Sequence, residues 1–295
     1  MSYPILSVRS EEIVDVEQLG SKPKFWFRQN DQLWLFKEAR LNTGEDWAEK
    51  VAAEIARLVG MSAARVELAE YEGKRGCASL NFVNVDAGEV LMHGNELLAG
   101  QVLGYDKHKR QHQTDHTLQN IELTIRKIFP EDKGVGILRQ LATYATLDAL
   151  IGNTDRHHEN WGLLFSLELA TKRSNVIVAP SFDHASSLGR ELTDARREEM
   201  LLAGRIGRYI ERARGGIYIE STDRHGANPL DLIRLGCLRF PDYFLQGREH
   251  FLRLNLDAVE TVISDVPEDR MSKTARQFAL EMVRISSDRL RRLPV

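Results

Sequence analysis

A short polar stretch between two apolar segments constrains this chain more than any other feature. It spans residues 151–162 and reads Ile-Gly-Asn-Thr-Asp-Arg-His-His-Glu-Asn-Trp-Gly. The preceding segment, residues 136–151, is apolar around most of a helical circumference, which indicates a buried central helix. The following segment, residues 161–165, is typical of a short strand. A buried helix therefore delivers the chain directly into a loop rich in charged side chains.

The spacing of acids and amides in and after this loop is typical of phosphoryl-transfer sites. The spacing between Asp155 and Asn160 is the spacing between the catalytic base and the metal-binding amide in kinase loops. A second strand-like segment, residues 175–182, leads to another acid, Asp183. Mg²⁺ prefers carboxylate and amide oxygens to imidazole. In this interpretation Asp155 orients the attacking hydroxyl, while Asn160 and Asp183 hold Mg²⁺ against the phosphates of ATP.

The letters of this motif are not specific by themselves, because they occur twice. Residues 223–228 repeat the pattern Asp-Arg-His-x-x-Asn. There Asn228 precedes a proline, which is a helix-start signature, and no strand followed by an acid comes next. The stretch at 151–162 could likewise be a hydrogen-bonded polar turn, with Asp183 as a strand terminator. The apolar segments around the first copy favour the catalytic interpretation.

The first third of the chain is predicted to contain strands and one helix. Residues 13–36 read as strands joined by turns, and residues 65–71 and 76–83 read as two more. Period-two alternation places Lys37 on the same face as two leucines of its strand. Such a lysine could reach from an apolar pocket to nucleotide phosphates, or it could extend to water at a strand end.

The predicted helix of this region, residues 46–59, has acids that bear on the role of Lys37. Glu45, Glu49 and Glu54 lie in it or next to it. One of them could pair with Lys37 and hold it toward phosphate, as active kinases require. Alternatively, all three are solvated and stabilise the start of the helix by roughly a few tenths of a kcal/mol each.

Composition and charge exclude several classes of protein. The 295 residues are 42% hydrophobic and 28% charged, as in an ordinary globular protein, and the net charge of −3 gives no general attraction to nucleic acid or anionic membrane. The two cysteines, Cys77 and Cys237, are far apart, which argues against a disulfide framework or a zinc site. No apolar run approaches the roughly 20 residues of a membrane span. We expect a cytoplasmic protein with no membrane and no direct nucleic-acid partner.

Three histidines in a polar segment form a second possible metal site. His108, His112 and His116 recur at every fourth residue, so a helix would place them on one face. Polar surroundings without an apolar shell favour a solvated segment over a metal centre.

Taken together, these motifs resemble the HipA-type serine/threonine kinases, bacterial enzymes distantly related to phosphoinositide kinases. The loop Gly-Asn-Thr-Asp155-Arg-His157-His-Glu-Asn160 is similar to the family pattern Asn-x-Asp-x-His-x-x-Asn, and Phe-Asp183 is similar to its metal-binding Asp. Weaker similarities lie in Leu-Phe-Lys37, in Trp-Ala-Glu49 and at residues 91–94. The resemblance extends over most of the chain and is most specific around Asp155.

The resemblance implies an α+β, two-lobed protein-kinase-like fold. A small antiparallel β lobe with one helix, residues 1–84, would clamp ATP above a larger and mainly α-helical catalytic lobe, residues 85–295. The implied cofactors are ATP and Mg²⁺. The implied catalytic residues are Asp155, Lys37, Glu49 and His157, with Glu49 paired to Lys37 and His157 in an orienting, packed role. The implied metal ligands are Asn160 and Asp183.

A glycine-led loop before the first long strand is similar to the family's phosphate loop. The nucleotide-binding residues that this implies are Gly20, Ser21, Lys22, Lys24 and Lys37. Glu17 stands where full-length HipA has an inactivating autophosphorylated serine, so regulation by that route is not expected. The chain also begins too close to the loop to hold HipA's extra N-terminal subdomain, which predicts a compact member.

The resemblance also implies partners. The substrate would be a protein with a Ser or Thr acceptor, and the enzyme could autophosphorylate or act as the toxin of a toxin–antitoxin pair, with an antitoxin-type partner protein. Two alternatives remain open: a small-molecule or lipid kinase, and a nucleotide-binding pseudokinase or interaction module.

Overall fold

The computed structural model describes residues 2–16, 24–168 and 173–293, and every structural statement below concerns these ranges. Its strands are β1 (Ile5–Val8), β2 (Ile13–Val16), β3 (Lys24–Gln29), β4 (Gln32–Glu38), β5 (Val66–Tyr71), β6 (Lys74–Leu80), β7 (Val90–His93), β8 (Gly162–Glu168) and β9 (Arg173–Val178). Its α-helices are α1 (Glu45–Leu58), α2 (Gly94–Ala99), α3 (Leu118–Ile128), α4 (Glu131–Ile151), α5 (Asp194–Leu202), α6 (Ile206–Arg212), α7 (Pro229–Arg239), α8 (Pro241–Leu252), α9 (Leu256–Ser264) and α10 (Lys273–Arg292).

A six-stranded sheet with the order β1-β5-β6-β4-β3-β2 forms the smaller lobe. Neighbouring strands are antiparallel except β1, which pairs in parallel with β5. The aromatic side chains on one face of β3 and β4 are buried together. Among them, the rings of Phe25 and Phe36 stack with centroids 4.9 Å apart. Lys37 itself lies opposite Cys77 in the sheet register. The predicted alternation of β4 is therefore confirmed, with Lys37 on the face away from this aromatic core.

Helix α1 covers part of the sheet and is also anchored to the larger lobe. Its apolar stripe, which includes Trp47, Val51 and Ile55, is buried. The acids of its first turn are buried rather than solvated: Glu45 pairs with arginines of both lobes, and Asp46 does the same. Because charges this deep in a protein need partners, these arginines hold the start of the helix in place.

The larger lobe is built around α4, as the apolar pattern of residues 136–151 predicts. Much of this helix is buried, and it packs against α3, α7, α8 and α10. A three-stranded sheet with the order β7-β8-β9 lies beside it. Between the two lobes, residues 84–104 contain β7 and α2. None of the described helices is long and apolar enough to cross a membrane.

Candidate active site

The loop between α4 and β8 is stabilised by its own amide side chains. Helix α4 ends at Gly152, whose φ of +64° lies in the left-handed region that favours glycine. Asn153 then donates to Asp148 at 2.8 Å and accepts the backbone N–H of Asp155 at 3.1 Å. Asn160 donates to the backbone carbonyl of Asp155 at 2.7 Å. The backbone on both sides of Asp155 is therefore fixed, while its side chain is exposed.

Arg156 joins this loop to the segment that carries Asp183. Its guanidinium is 5% exposed and forms two hydrogen bonds of 2.8 Å to the carboxylate of Asp148. It also donates to the backbone carbonyl of Asn160 at 2.5 Å and to that of Phe182 at 3.2 Å. One buried arginine thus supports both predicted metal ligands. It binds Asn160 directly, and it binds Phe182, the residue before Asp183.

Asp183 forms an ion pair with Lys37 across the two lobes. The Nζ atom of Lys37 lies 3.1 Å from Oδ1 of Asp183. Burial alone would raise the pKa of the Asp183 carboxyl, but the charge and hydrogen bond of Lys37, together with the charges of Lys24 and His157, hold the pKa below its ordinary range. For Lys37, burial would lower the pKa, but the carboxylate of Asp183 and the nearby Glu49 together raise it. Both groups are therefore charged at neutral pH.

The backbone at Asp183 is in a conformation that side chains other than glycine rarely adopt. Its φ is +61°, in the left-handed region. Strand β9 ends at Val178, earlier than the predicted strand-like segment 175–182. Between β9 and Asp183, Ser181 forms an isolated parallel bridge with Ala63. Non-glycine residues in this region occur where the surrounding structure imposes them, often at functional sites.

The predicted pair between Glu49 and Lys37 is wrong for this structure. Glu49 is completely buried, and its Oε1 atom lies 3.3 Å from Nδ1 of His184. Burial would raise the pKa of Glu49, but the contact with His184 and the charge of Lys37 lower it. Lys37 therefore influences Glu49 through its charge, while its own ion pair is with Asp183. A helix pattern shows which acids face inward, but it does not identify the partner that the other lobe supplies.

Comparison with known proteins gives the family. The model of the HipA-like C-terminal domain matches residues 18–283, which is most of the chain. This chain belongs to the HipA-like C-terminal domain family. A search of curated proteins gave no match.

Solved structures with the same fold agree with this membership. The HipA-like chain is similar to the Helicobacter pylori proinflammatory kinase CtkA, with a TM-score of 0.76, 18% identity and coverage of 98% of this chain and 97% of that one. It is also similar to a chain in the Shewanella oneidensis MR-1 complex of HipA, HipB and operator DNA, with a TM-score of 0.59, 13% identity and coverage of 98% and 69%. The predicted family and the two-lobed kinase-like α+β fold are confirmed.

The predicted phosphate loop lies mostly outside the described residues. Gly20, Ser21 and Lys22 belong to the undescribed segment 17–23. Lys24 is described, and it opens β3 opposite Lys37 in the sheet register. Its positive charge also contributes to the lowered pKa of Asp183. Lys24 and Lys37 together place two cations on the side of the HipA-like site where Asp183 lies.

The donors that the site offers fit a magnesium ion. The described residues hold no group of three or more His, Cys, Asp or Glu side chains suited to a metal. Mg²⁺ needs no such cage, because proteins commonly bind it through one or two carboxylates together with substrate phosphates. The carboxylate of Asp183 and the amide of Asn160, held together through Arg156, supply hard oxygen donors of that kind.

His157 lies beside Asp155 but is turned toward its own loop. Its Nδ1 atom accepts the backbone N–H of Glu159 at 3.2 Å. Burial lowers the pKa of its imidazole, although the negative charges of Asp155 and Asp183 oppose this effect. A neutral ring that accepts a backbone hydrogen bond is compatible with an orienting role, which stays a prediction.

The three regularly spaced histidines do not form one helical face. Their segment is irregular, and His108 and His112 are exposed, whereas His116 is 1% exposed. His116 accepts a hydrogen bond from the indole of Trp161 at 3.1 Å, and its Nδ1 atom lies 2.8 Å from the carbonyl of Gly216. The expectation of a solvated segment is therefore wrong for His116. His116 therefore joins Trp161, at the end of the loop between α4 and β8, to Gly216 in the segment before α7. No local sequence pattern indicates this role.

Glycine at position 216 allows this connection to pack on the loop. A Cβ atom there would lie 2.8 Å from the carbonyl oxygen of Arg156 and 2.8 Å from the backbone nitrogen of His157. Since real Cβ atoms essentially never come so close to a backbone, a larger residue would displace the loop.

Burial of His116 makes an acid-dependent loss of stability expected. Burial lowers the pKa of His116 to about 3, whereas an unfolded histidine has a pKa of about 6.5. Below about pH 6.5 the unfolded state therefore binds a proton that the folded state does not, so stability falls as the pH drops from 6.5 toward 3. We expect a loss of about 1.4 kcal/mol per pH unit from this group, measured by urea denaturation at pH 7, 6 and 5.

The exposed His112 provides the control for this experiment. His116→Gln should reduce the pH dependence of the free energy of unfolding by about the stated slope, and His112→Asn should leave it unchanged. Identical slopes in the wild type and His116→Gln would show that His116 does not carry the effect.

Proposed function

We propose that this HipA-like protein is a Mg²⁺- and ATP-dependent kinase that transfers the γ-phosphate to a Ser or Thr hydroxyl of a protein. The observation that carries the proposal is the arrangement around Arg156. This buried residue ties Asn160 and the segment before Asp183 to the loop on which Asp155 is exposed. An acid at a fixed place near two hard oxygen donors is what phosphoryl transfer requires, because that reaction depends on positioning and charge stabilisation.

Each group would have a separate task. The exposed carboxylate of Asp155 would accept or orient the proton of the attacking hydroxyl. Asn160 and Asp183 would hold Mg²⁺, which supplies charge stabilisation to the transferring phosphoryl group when it is bound. Lys37 and Lys24 would bind phosphate oxygens, since both place positive charge close enough to Asp183 to lower its pKa.

Two aromatic rings support a site for the base of the nucleotide. Phe82 follows β6, and Phe182 immediately precedes Asp183. Their ring centroids are 5.6 Å apart, and both side chains are half-buried. A flat heteroaromatic base would gain dispersion and stacking energy against such a pair. A base bound there would place its phosphates on the side of Lys37 and Asp183.

We also propose an antitoxin-type partner protein. The related Shewanella structure contains HipA with HipB and operator DNA. With a net charge of −3, this chain has no general attraction to DNA, so any contact with DNA would be made through the partner.

A labelling experiment tests the function. Purified protein is incubated with Mg²⁺, ATP labelled on the γ-phosphate and a heat-treated bacterial lysate, and the products are separated into protein, lipid and small-molecule fractions. We expect Mg²⁺-dependent label on Ser or Thr of protein. Label in the organic phase or on a small metabolite would replace the protein substrate by a lipid or a small molecule. Stabilisation by ATP without formation of ADP would identify a pseudokinase and overturn the proposal.

A further inference from the structure

We propose that His184 is a positioning residue for the phosphoryl-transfer site. His184 couples Glu49 on α1 to the loop that carries Asp155, and this coupling fixes the backbone of Asp183. The inference rests on the proposed function and adds a residue that the sequence motif does not contain. His184 immediately follows Asp183 and is completely buried.

A continuous series of buried polar contacts runs through His184. Its Nδ1 atom lies 3.3 Å from Oε1 of Glu49, and its Nε2 atom lies 2.8 Å from Oγ of Ser181. Ser181 in turn accepts a hydrogen bond of 3.1 Å from Arg156, which pairs with Asp148. All five residues are 5% exposed or less. The series crosses from the helix of the smaller lobe to the central helix of the larger one.

Burial makes this series costly to break. A buried polar group that loses its partner keeps the full cost of having left water, and that cost is larger for a charged group. Glu49 is an extreme case: its two carboxylate oxygens have no hydrogen bond among the described residues, and Nδ1 of His184 lies 3.3 Å from one of them. His184 therefore determines where α1 presents its one fully buried glutamate relative to Lys37.

The same contacts hold Asp183 from both sides. The residue before it, Phe182, has its carbonyl bound by Arg156, and the residue after it, His184, contacts partners through both ring nitrogens. Between these anchors Asp183 adopts a φ of +61°, a strained conformation that persists only where the surrounding structure imposes it. Removing either anchor frees the backbone to relax, and the carboxylate of Asp183 would then leave its place beside Lys37.

Residues behind a metal ligand usually change metal affinity or activity by about 10–100-fold when they are replaced. The first readout is therefore binding, without turnover. Isothermal titration measures the affinity for a non-hydrolysable ATP analogue with Mg²⁺ and in EDTA, for wild type, His184→Ala, His184→Gln and Ser181→Ala. We expect the tightening by Mg²⁺ to shrink by about tenfold in His184→Ala and Ser181→Ala. The affinity in EDTA should stay within about twofold of wild type, and His184→Gln, which keeps one hydrogen-bonding group, should recover part of the loss.

Ser187 is the matched control. It is 2% exposed, like Ser181, but its hydroxyl has no hydrogen-bond partner among the described residues, so Ser187→Ala removes a buried hydroxyl outside the series. We expect this variant to keep the wild-type tightening by Mg²⁺. Equal losses in Ser181→Ala and Ser187→Ala would show a general packing effect and overturn the inference, as would unchanged Mg²⁺ dependence in folded His184→Ala.

The second readout is the Mg²⁺ concentration that gives half-maximal phosphotransfer. We expect this concentration to rise about tenfold in His184→Ala and Ser181→Ala. The outcomes separate the two proposals. A wild type that binds the analogue with Mg²⁺ but transfers no phosphate overturns the kinase function alone, because the coupling is still measured by binding. A wild type whose binding of the analogue is indifferent to Mg²⁺ overturns both.

Discussion

Asp155→Asn is expected to lower the rate constant of phosphate transfer by about 10²–10⁴-fold, the usual contribution of a positioned acid or base. The amide has the size of the carboxylate but cannot accept a proton from the attacking hydroxyl. The geometry of the loop should survive, because Asn153 and Asn160 bind the backbone of Asp155. Asn153 accepts from its N–H, and Asn160 donates to its carbonyl. Affinity for ATP should therefore stay near that of the wild type. Single-turnover transfer of labelled phosphate, with nucleotide binding measured separately, checks both parts.

The second Asp-Arg-His copy provides the control. Asp223 lies in a turn, where its carboxylate accepts the backbone N–H of Glu220 at 2.9 Å. Its Asn228 caps α7 through two backbone amides and has a purely structural task. Asp223→Asn should consequently transfer phosphate at the wild-type rate. If Asp155→Asn and the wild type were equally fast, Asp155 would not be the residue that accepts or orients the proton of the attacking hydroxyl.

Arg156→Met is expected to lower the free energy of unfolding by about 3–5 kcal/mol, the usual cost of breaking a buried ion pair from one side. The change leaves the carboxylate of Asp148 buried and without its cation. It also removes the donor to the carbonyls of Asn160 and Phe182, so the two predicted metal ligands lose their common support. Chemical denaturation followed by circular dichroism measures the effect.

Arg224 is the corresponding residue of the second motif copy, and it is exposed. Arg224→Met should change the free energy of unfolding by less than about 0.5 kcal/mol, as is usual for surface positions. A double variant, Asp148→Asn with Arg156→Met, should be less destabilised than the sum of the single variants, because the stranded charge is gone. Strict additivity would contradict the coupling between Asp148 and Arg156.

Local patterns predicted those parts of the fold that bury one continuous apolar stripe. Helices α1 and α4 repeat apolar residues with helical spacing, and each must place that stripe against the core. Alternation in β4 likewise separated Lys37 from the buried aromatic face. The loop around Asp155 was recognisable because Asp155, Asn160 and Asp183 have the order expected of a phosphoryl-transfer site, and because a buried helix and a strand flank the loop.

Partner choice and short elements were not predictable in this way. The partner of Glu49 is His184, far away in sequence, and no periodicity links an acid on one helix to a histidine in a distant loop. The four-residue strand β7 is stabilised by pairing with β8, whose sequence lies beyond three intervening helices and a long loop. Its own residues have only a weak local preference, so tertiary pairing determines the conformation.

The ion pair between Lys37 and Asp183 has a consequence for the order of ligand binding. A metal ion at Asp183 must compete with the ammonium group of Lys37, and phosphate oxygens at Lys37 must compete with the carboxylate of Asp183. In the proposed function each ligand would remove the competitor of the other, so nucleotide and Mg²⁺ would be positive effectors of one another at adjacent positions. Thermodynamic linkage makes that cooperativity reciprocal, with the same coupling free energy whichever ligand binds first. The protein would thus respond to the Mg²⁺–nucleotide complex more sharply than to either component alone.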